Sequence, residues 1–322
     1  MKVRKAVITA AGRGTRQYPA TNVVQKELFP LVDRDGIAKP VIQLVAEEAL
    51  ESGIEEICIV TAPDGEPAFR EHFRPLGGDK QAAFSDKDWA LRQSETLPRL
   101  GRIISYAHQE SQEGFGHAVY CARAFVGEEP FLLMLGDHVY ISNERRRCAR
   151  QLLDAFERHG CTVSSVQRTP ASELHLFGAV GGEPLPGEPG MFRVTELKEK
   201  PSPDYARAHL RVSGLGEDEY LCFFGMHVFT PGIFNCLREH IKGDVRERGE
   251  IQLTSAQDLL RQREQYLACE IDGLRLDMGV PEGYVQTQVA LALHSSFADR
   301  VRQWVAEARA ASGRACPTPS AC

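Results

Sequence analysis

The first half of the chain alternates apolar runs with segments of helical spacing. Stretches rich in apolar and β-branched residues predict buried strands over residues 3–11, 57–61, 103–106, 131–135 and 162–167. Apolar residues that recur every three or four positions predict helices over 40–52, 117–125 and 144–159. Strands that alternate with helices form a mostly parallel sheet covered on both faces. We therefore predict an α/β fold whose ligands bind beyond the carboxyl ends of the strands.

The second half of the chain is less regular. Gly, Pro and Glu dominate residues 181–190, which predicts a surface loop or hairpin, and residues 202–218 predict a small helix-plus-loop insertion. Further spacing predicts a strand over 221–229, a helix over 251–263 and a long helical tail over 285–310. We place a catalytic domain at 1–295 and a helical C-terminal tail with a disordered end at 296–322.

The amino-acid composition of the chain argues against some classes of binding partner. The 322 residues, 43% of them hydrophobic, are enough for a full core. A formal charge of -6 argues against a nucleic-acid polymer or an anionic membrane, since either favours a broad basic face. No apolar run approaches the ~20 residues of a spanning helix, and the N-terminal residues do not have the pattern of a signal peptide. We therefore expect a cytoplasmic protein with small-molecule substrates. Nine dispersed cysteines without C-x-x-C pairs favour neither a disulfide framework nor a zinc site.

A glycine-rich turn, Gly12-Arg13-Gly14, follows the first predicted strand. Its backbone N–H groups can approach a polyphosphate closely, because glycine has no Cβ in the way. A dinucleotide-binding fingerprint needs a third glycine where Gln17 stands, and a Walker A loop needs Gly-Lys-Ser/Thr, which is missing here. Arg13 and Arg16 supply positive charge beside the turn. Lys26 follows a dozen residues later, and we interpret it as a phosphate-binding cation.

Two aspartates stand at positions suited to a metal ion. Asp137 comes just after the apolar strand over 131–135, so its carboxylate is held at the predicted ligand-binding edge. Asp277 lies in the late turn Leu276-Asp277-Met278-Gly279. Magnesium prefers a few carboxylates, waters and phosphate oxygens, whereas a single aspartate in a turn is equally a turn former. Together the two predict a Mg²⁺ site.

Several blocks in a fixed order resemble a known family, the sugar-1-phosphate nucleotidyltransferases, and their spacing is most similar to its bacterial UTP:glucose-1-phosphate uridylyltransferase branch. The blocks are residues 10–16, Pro19-Ala20-Thr21, residues 26–30, residues 114–119, Leu135-Gly136-Asp137, Glu199-Lys200-Pro201, residues 249–254 and residues 276–279. The resemblance extends to about Tyr284. It implies a Rossmann-like, GT-A-like mixed sheet, and transfer of a nucleotidyl group from a nucleoside triphosphate to a sugar 1-phosphate with release of pyrophosphate. UTP and glucose 1-phosphate are the expected pair.

The resemblance also implies roles for the matching residues. Arg16 and Lys26 bind the triphosphate and the leaving group, and Lys200 binds the sugar phosphate. Asp137 and Asp277 bind Mg²⁺. Nucleotide contacts are expected from Ala10, Ala11, Gly12, Gly14, Thr15, Gln109 and Gly114, and sugar contacts from Gly178, Glu199 and Lys200. A homodimer or homotetramer is implied as well.

The sequence departs from the family pattern beside the metal aspartate. Gly136 replaces the usual proline, His138 and Val139 follow Asp137, and Asn22 replaces a common lysine. The Gly-Asp pair is similar to thymidylyltransferases of the same fold. A thymidylyltransferase or another nucleotide-sugar pyrophosphorylase therefore stays open, as does a homologue that binds a nucleotide sugar without making it. A nicotinamide-dependent oxidoreductase is disfavoured, since the third glycine is missing.

Overall fold

The strands alternate with helices along most of the chain. The computed structural model describes residues 1–78, 83–84 and 86–312. In this part of the chain the strands are β1 (Lys5–Ala10), β2 (Pro30–Val32), β3 (Ala38–Pro40), β4 (Glu56–Thr61), β5 (Ile104–His108), β6 (Phe131–Leu135), β7 (His138–Ser142), β8 (Thr162–Pro170), β9 (Gly178–Pro184), β10 (Met191–Glu199), β11 (Glu219–Phe229), β12 (Tyr266–Glu270) and β13 (Gly273–Asp277).

Helices precede or follow most strands. They are α1 (Val41–Glu51), α2 (Glu66–His72), α3 (Asp88–Ile103), α4 (Phe115–Cys121), α5 (Arg123–Val126), α6 (Cys148–His159), α7 (Pro203–His209), α8 (Gly232–Lys242), α9 (Leu253–Arg261), α10 (Pro281–Leu293) and α11 (Ala298–Ser312). Four short 3₁₀ turns lie at 15–17, 20–22, 26–28 and 171–176.

One nine-stranded sheet organises the molecule, in the order β5-β4-β1-β6-β11-β8-β12-β10-β9. The first four strands run parallel, so their carboxyl ends meet at one edge. β11 then pairs antiparallel with both β6 and β8, which makes the sheet mixed. Two small ladders, β7 with β13 and β2 with β3, lie outside it. The predicted mixed α/β architecture is confirmed.

Alternate residues of the central strands divide between two apolar cores. Ile8 and Met134 pack into the core on one face, with α1 and α6. Val7 and Leu133 point the other way, into the core formed with α4, α8 and α9. Because the central strands are buried on both faces, they read as continuous apolar runs in the sequence. A third, smaller cluster around Ala206 and Leu210 forms the core of the small inserted unit at α7.

The helical tail predicted over 285–310 consists of two helices, α10 and α11, and the break between them, which was not predicted, lies at 294–297. Ser295 Oγ there accepts the N–H of Phe297 at 3.3 Å and competes with the backbone for hydrogen bonds, as serine does at helix ends. The division at residue 295 stays a prediction, and the predicted disordered end lies outside the described residues. Among those residues no helix combines the length and apolarity of a bilayer span.

Candidate active site

A cavity of about 390 Å³ opens where β1 ends, and we call it the first cavity. The turn after β1 leaves the strand through Gly14, whose φ of 63° is in the left-handed region that favours glycine. A Cβ there would lie 2.8 Å from Thr21 Cγ2. The cavity is lined by Thr9, Ala11, Gly12, Arg13, Thr15, Lys26, Glu27, Gln109, Gln112, Gly114, Phe115, Ala118, Leu135, Asp137 and Glu250.

A buried ion pair joins the turn region to β6. The Lys26 ammonium donates to Asp137 Oδ2 and lies 3.2 Å from Glu27 Oε1, within ion-pair distance but outside hydrogen-bond geometry. Burial alone lowers the pKa of Lys26, but the two carboxylates raise it above its usual value. Burial likewise raises the pKa of Asp137, yet Lys26 and His138 hold it well below its usual value. Both groups are therefore charged at neutral pH.

Burial raises the pKa of the neighbouring Glu27 carboxyl to about 7, although Lys26 opposes the shift. Glu27 is 1% exposed. A carboxyl of this kind carries only part of a charge near neutral pH. The positive charge of the Lys26 ammonium is therefore balanced mainly by Asp137. Lys26 also lines the first cavity, where it can attract an anionic ligand.

Asp277 lies beside Asp137 because the small β7–β13 ladder pairs it directly with His138. One donor atom from each of Asp137, His138 and Asp277 lies within 4.8 Å of the others. His138 Nδ1 is 3.1 Å from Asp137 Oδ1, and the Gly279 N–H donates to Asp277 Oδ1 at 2.8 Å. Two carboxylates with an adjacent imidazole are chemically suited to a divalent cation.

Gly279 allows these charges to converge. A Cβ at this position would lie 2.8 Å from Asp137 Oδ2, 3.0 Å from Asp277 Oδ1 and 3.0 Å from Arg16 Nη2. Any larger residue would therefore displace one of the three groups. Arg16 and both aspartates meet at this point, and Lys26 joins them through its contact with Asp137.

A second cavity, of about 320 Å³, lies on the other side of Asp137, which borders both. It is lined by Arg16, Phe115, Leu135, Asp137, His138, Leu176, Phe177, Gly178, Glu199, Lys200, Phe223, Gly225, His227, Arg248, Glu250, Gln252, Leu253, Thr254, Gln257 and Asp277. Glu199 pairs directly with Gly178 across the β9–β10 ladder and accepts a 2.8 Å hydrogen bond from Thr254 Oγ1. Lys200 follows with a φ of 44°.

Most of the predicted site residues line one of the two cavities, but their distribution has a feature the sequence did not indicate. Arg16 lines the second cavity, and Arg13 is the arginine of the turn that lines the first. Ala10 and Gly14 shape the turn without lining either cavity. Gln109 is 4% exposed and donates through Nε2 to the carbonyl of Gly114 at 3.0 Å.

Other lining residues carried no role in the sequence analysis. Gln112 donates to the Ala11 carbonyl at 2.9 Å and so fixes the turn from the opposite wall of the first cavity. Glu250 and Thr254 lie in a block that resembled the family, and that block was the signal that could have identified them. His227 and Gln257 lie within a predicted strand and a predicted helix, where polar residues give no signal of their own.

Comparisons with known proteins show which family and which solved structures the chain is similar to. The family model described as "Nucleotidyl transferase" matches residues 5–293. A Bacillus subtilis protein named UTP--glucose-1-phosphate uridylyltransferase is 36% identical over 91% of this chain and 92% of its own length. A solved UDP-glucose pyrophosphorylase complexed with UDP-glucose superposes with a TM-score of 0.73 at 28% identity, over 89% of this chain and 98% of that chain. A putative glucose-1-phosphate thymidylyltransferase from Bacillus anthracis shares the fold, with a TM-score of 0.63 at 20% identity over 90% of this chain and 95% of that chain.

Proposed function

The chain belongs to the nucleotidyl transferase family, and from that premise we propose that it transfers the uridylyl group of UTP to glucose 1-phosphate, giving UDP-glucose and pyrophosphate. One observation carries the proposal. Arg16, Asp137 and Asp277 converge on Gly279 at the wall between the two cavities, and Lys26 binds Asp137 there. The first cavity takes the nucleotide and the second takes the sugar.

The reaction requires two anions to approach each other. A phosphate oxygen of the sugar 1-phosphate attacks the α-phosphorus of UTP, a new P–O bond forms, and the bond from the α-phosphorus to the bridging oxygen of the β-phosphate breaks in line with it. Pyrophosphate leaves with that electron pair. No covalent protein intermediate is needed, so the protein acts by positioning and by neutralising charge. Lys26 faces the triphosphate, and Arg16 and Lys200 face the sugar phosphate from the second cavity.

The placement of Arg16 refines its proposed role. The sequence assigned it to the triphosphate, and it lies at the border where the α-phosphate and the sugar phosphate would meet. A guanidinium there can bind oxygens of both groups as they approach, because its donors form a planar fork. Arg13 and Lys26 then bind the departing pyrophosphate from the first cavity.

The carboxylates of Asp137 and Asp277 would hold Mg²⁺, with His138 beside them. The donor set fits, since Mg²⁺ is bound through one or two carboxylates and the phosphates of its substrate. The ion supplies positive charge to the triphosphate oxygens. Lys26 holds Asp137 deprotonated and ready to coordinate.

Selection of the substrates follows from neutral hydrogen-bonding groups. Gln109 Nε2 is anchored by the Gly114 carbonyl and by His117 Nδ1 at 3.1 Å, which leaves Gln109 Oε1 to accept the N–H of the uracil edge. We assign the sugar to the second cavity, where Glu199 and the backbone at Gly178 are exposed to a ligand.

Release of pyrophosphate tests the proposal. Purified protein with Mg²⁺, UTP and glucose 1-phosphate should release pyrophosphate and form UDP-glucose, whereas dTTP should be a poorer partner. A panel that pairs each triphosphate with several sugar 1-phosphates decides between uridylyl and thymidylyl transfer. Binding of UDP-glucose without turnover across the whole panel would instead identify a binding protein. The homo-oligomeric state and the cytoplasmic location stay predictions.

A further inference from the structure

The floor of the second cavity contains a buried polar network that the reaction described above does not use. His227 of β11 and Gln257 of α9 line the cavity, and they are 4% and 0% exposed. Behind them lie Ser164 of β8 and Tyr266 of β12, also buried. Four polar side chains from four elements thus meet in an otherwise apolar region.

The hydrogen bonds of this network run in one direction. Gln257 Nε2 donates to the Tyr266 hydroxyl at 2.8 Å and lies 3.1 Å from His227 Nδ1, so both of its hydrogens point into the network. The hydrogen of the Tyr266 hydroxyl is then left for Ser164 Oγ at 2.6 Å. Ser164 in turn donates its hydrogen to His227 Nδ1, also at 2.6 Å. An Nδ1 that accepts a hydrogen bond requires the ring to carry its proton on Nε2. Burial lowers the pKa of His227 to about 3, so the ring is neutral.

The orientation of the imidazole is fixed by aromatic neighbours as well. Its ring stacks on Phe229, with centroids 5.3 Å apart, and meets Phe223 edge to face at 4.9 Å. The network and the two phenylalanines together leave the ring one position and one tautomer. Such preorganisation is what a recognition group needs, because no rotamer freedom is lost when the ligand binds.

Two atoms of the network remain available to a ligand. Gln257 Oε1 is buried and has no hydrogen-bond partner among the described residues. His227 Nε2–H likewise has no hydrogen bond to any residue that the structure describes. A buried polar atom without a partner is unfavourable and is stabilised when a ligand supplies one. A donor and an acceptor in the lining of the same cavity suit a sugar, because each hydroxyl group accepts one hydrogen bond and donates another.

We propose that His227 and Gln257 recognise a ring hydroxyl of the sugar 1-phosphate, with His227 Nε2–H donating to its oxygen and Gln257 Oε1 accepting its hydrogen. The assignment rests on the proposed function, since it takes the second cavity as the sugar site. Ser164 and Tyr266 are positioning residues that set the tautomer of His227. Recognition by neutral groups also keeps this part of the cavity unattractive to phosphate.

Substrate kinetics test the assignment. His227→Phe keeps an aromatic ring but removes the donor, and it should lower kcat/KM for glucose 1-phosphate about 10- to 100-fold, mainly through KM, with the KM for UTP unchanged. His227→Gln, which restores an N–H donor, should recover part of the loss. His240→Phe, at a buried histidine of α8 that lines neither cavity, is the matched control and should change neither KM.

A series of deoxyglucose 1-phosphates identifies the contacted hydroxyl. The wild-type protein should lose activity on the substrate that lacks this hydroxyl, and His227→Phe should lose nothing further on that substrate alone. Ser164→Ala, which leaves the cavity lining intact, should cause a smaller loss with the same substrate pattern. An equal loss for His227→Phe on every deoxy substrate, or an unchanged KM for the sugar phosphate, would overturn the assignment.

The outcome is separable from that of the proposed function. If the wild-type protein turns over a sugar phosphate and the deoxy series shows no preference, only the assignment of His227 and Gln257 fails. If the wild-type protein turns over no pair of substrates, the proposed function fails, and this assignment fails with it.

Discussion

The two cavities share Asp137 but are built on opposite principles. The first is built on charge: Lys26 lies between two carboxylates beneath a turn that also presents Arg13. The floor of the second cavity depends on directional hydrogen bonds between neutral groups, which fix the orientations of their side chains. These groups are His227, Gln257, Ser164 and Tyr266. Positive charge suits a polyphosphate, whose non-bridging oxygens carry several negative charges and are strongly solvated. Directional neutral donors suit a sugar, whose hydroxyl groups differ only in position.

The difference predicts how each region responds to mutation. A lost charge in the first cavity should affect turnover, because charge develops on the leaving group in the transition state. A lost neutral hydrogen bond in the second cavity should affect substrate affinity and selection. The largest effects are therefore expected at the ion pair, and the smallest at the network.

Among the predicted effects, Lys26→Ala should cause the largest loss of activity. Removing the cation that faces the triphosphate should lower kcat by about 10³-fold, in the range found for a lost transition-state donor. Steady-state kinetics with both substrates saturating would measure this. The variant also leaves Asp137 buried without its partner, so its thermal unfolding must be followed in parallel.

Lys242→Ala provides the comparison for that experiment, because Lys242 is an exposed lysine at the end of α8 and lines neither cavity. It should keep wild-type kinetics. A folded Lys26→Ala variant with near-normal kcat would show that Lys26 only stabilises Asp137, and the charge-based account of the first cavity would be wrong.

Asp277→Asn should have the next largest effect. An asparagine Oδ1 can still accept the N–H of Gly279, so the turn is kept while a negative charge is removed from the cluster with Asp137 and His138. We expect Mn²⁺, used as a probe for Mg²⁺, to bind at least about 10- to 100-fold more weakly, since changing even the outer partners of metal ligands has an effect of that size. Electron paramagnetic resonance of free and bound Mn²⁺ measures the affinity without any turnover.

Asp272→Asn is the matched control for the metal prediction. Asp272 lies on the β12–β13 connection, at the opposite end of β13 from Asp277, and accepts a hydrogen bond from Asn143 at the surface, where it lines neither cavity. Mn²⁺ affinity should be unchanged in this variant. Equal affinities of Asp277→Asn and the wild-type protein would remove Asp277 from the metal site.

The same contrast explains what the sequence could predict. Strand β6 is predicted to the residue, because strands buried on both faces read as apolar runs, and Asp137 follows from where that run ends. The ladder of β7 and β13 was not predicted, since its strands are short and only partly apolar. The convergence of Lys26 with Asp137 was expected from the resemblance, whereas the roles of the individual residues stay predictions.

No pattern in the sequence predicted the polar network of the second cavity. His227 lies within an apolar strand, and its partners Ser164, Gln257 and Tyr266 come from three other elements. Only the register of β11 against β8, which places His227 opposite Ser164, brings the first pair together. Strand register depends on the whole sheet, so local patterns in the sequence cannot supply it.

The smallest predicted effect concerns the pH dependence of stability, and a comparison of the wild-type protein with His227→Phe isolates the contribution of His227 from those of the charged groups in the first cavity. In the folded protein burial holds the pKa of His227 at about 3, whereas an unfolded histidine has a pKa of about 6.5. Below pH 6.5 the unfolded chain therefore binds a proton that the folded protein does not, and stability falls as the pH falls. From pH 7.5 to pH 5.5 this residue should remove about 1.4 kcal/mol from the free energy of unfolding. His227→Phe lacks that term, so the stability difference between the wild-type protein and the variant should shift by this amount in favour of the variant. Urea unfolding of both proteins at the two pH values measures the shift, and a difference that stays constant with pH would mean that His227 is not held neutral by burial.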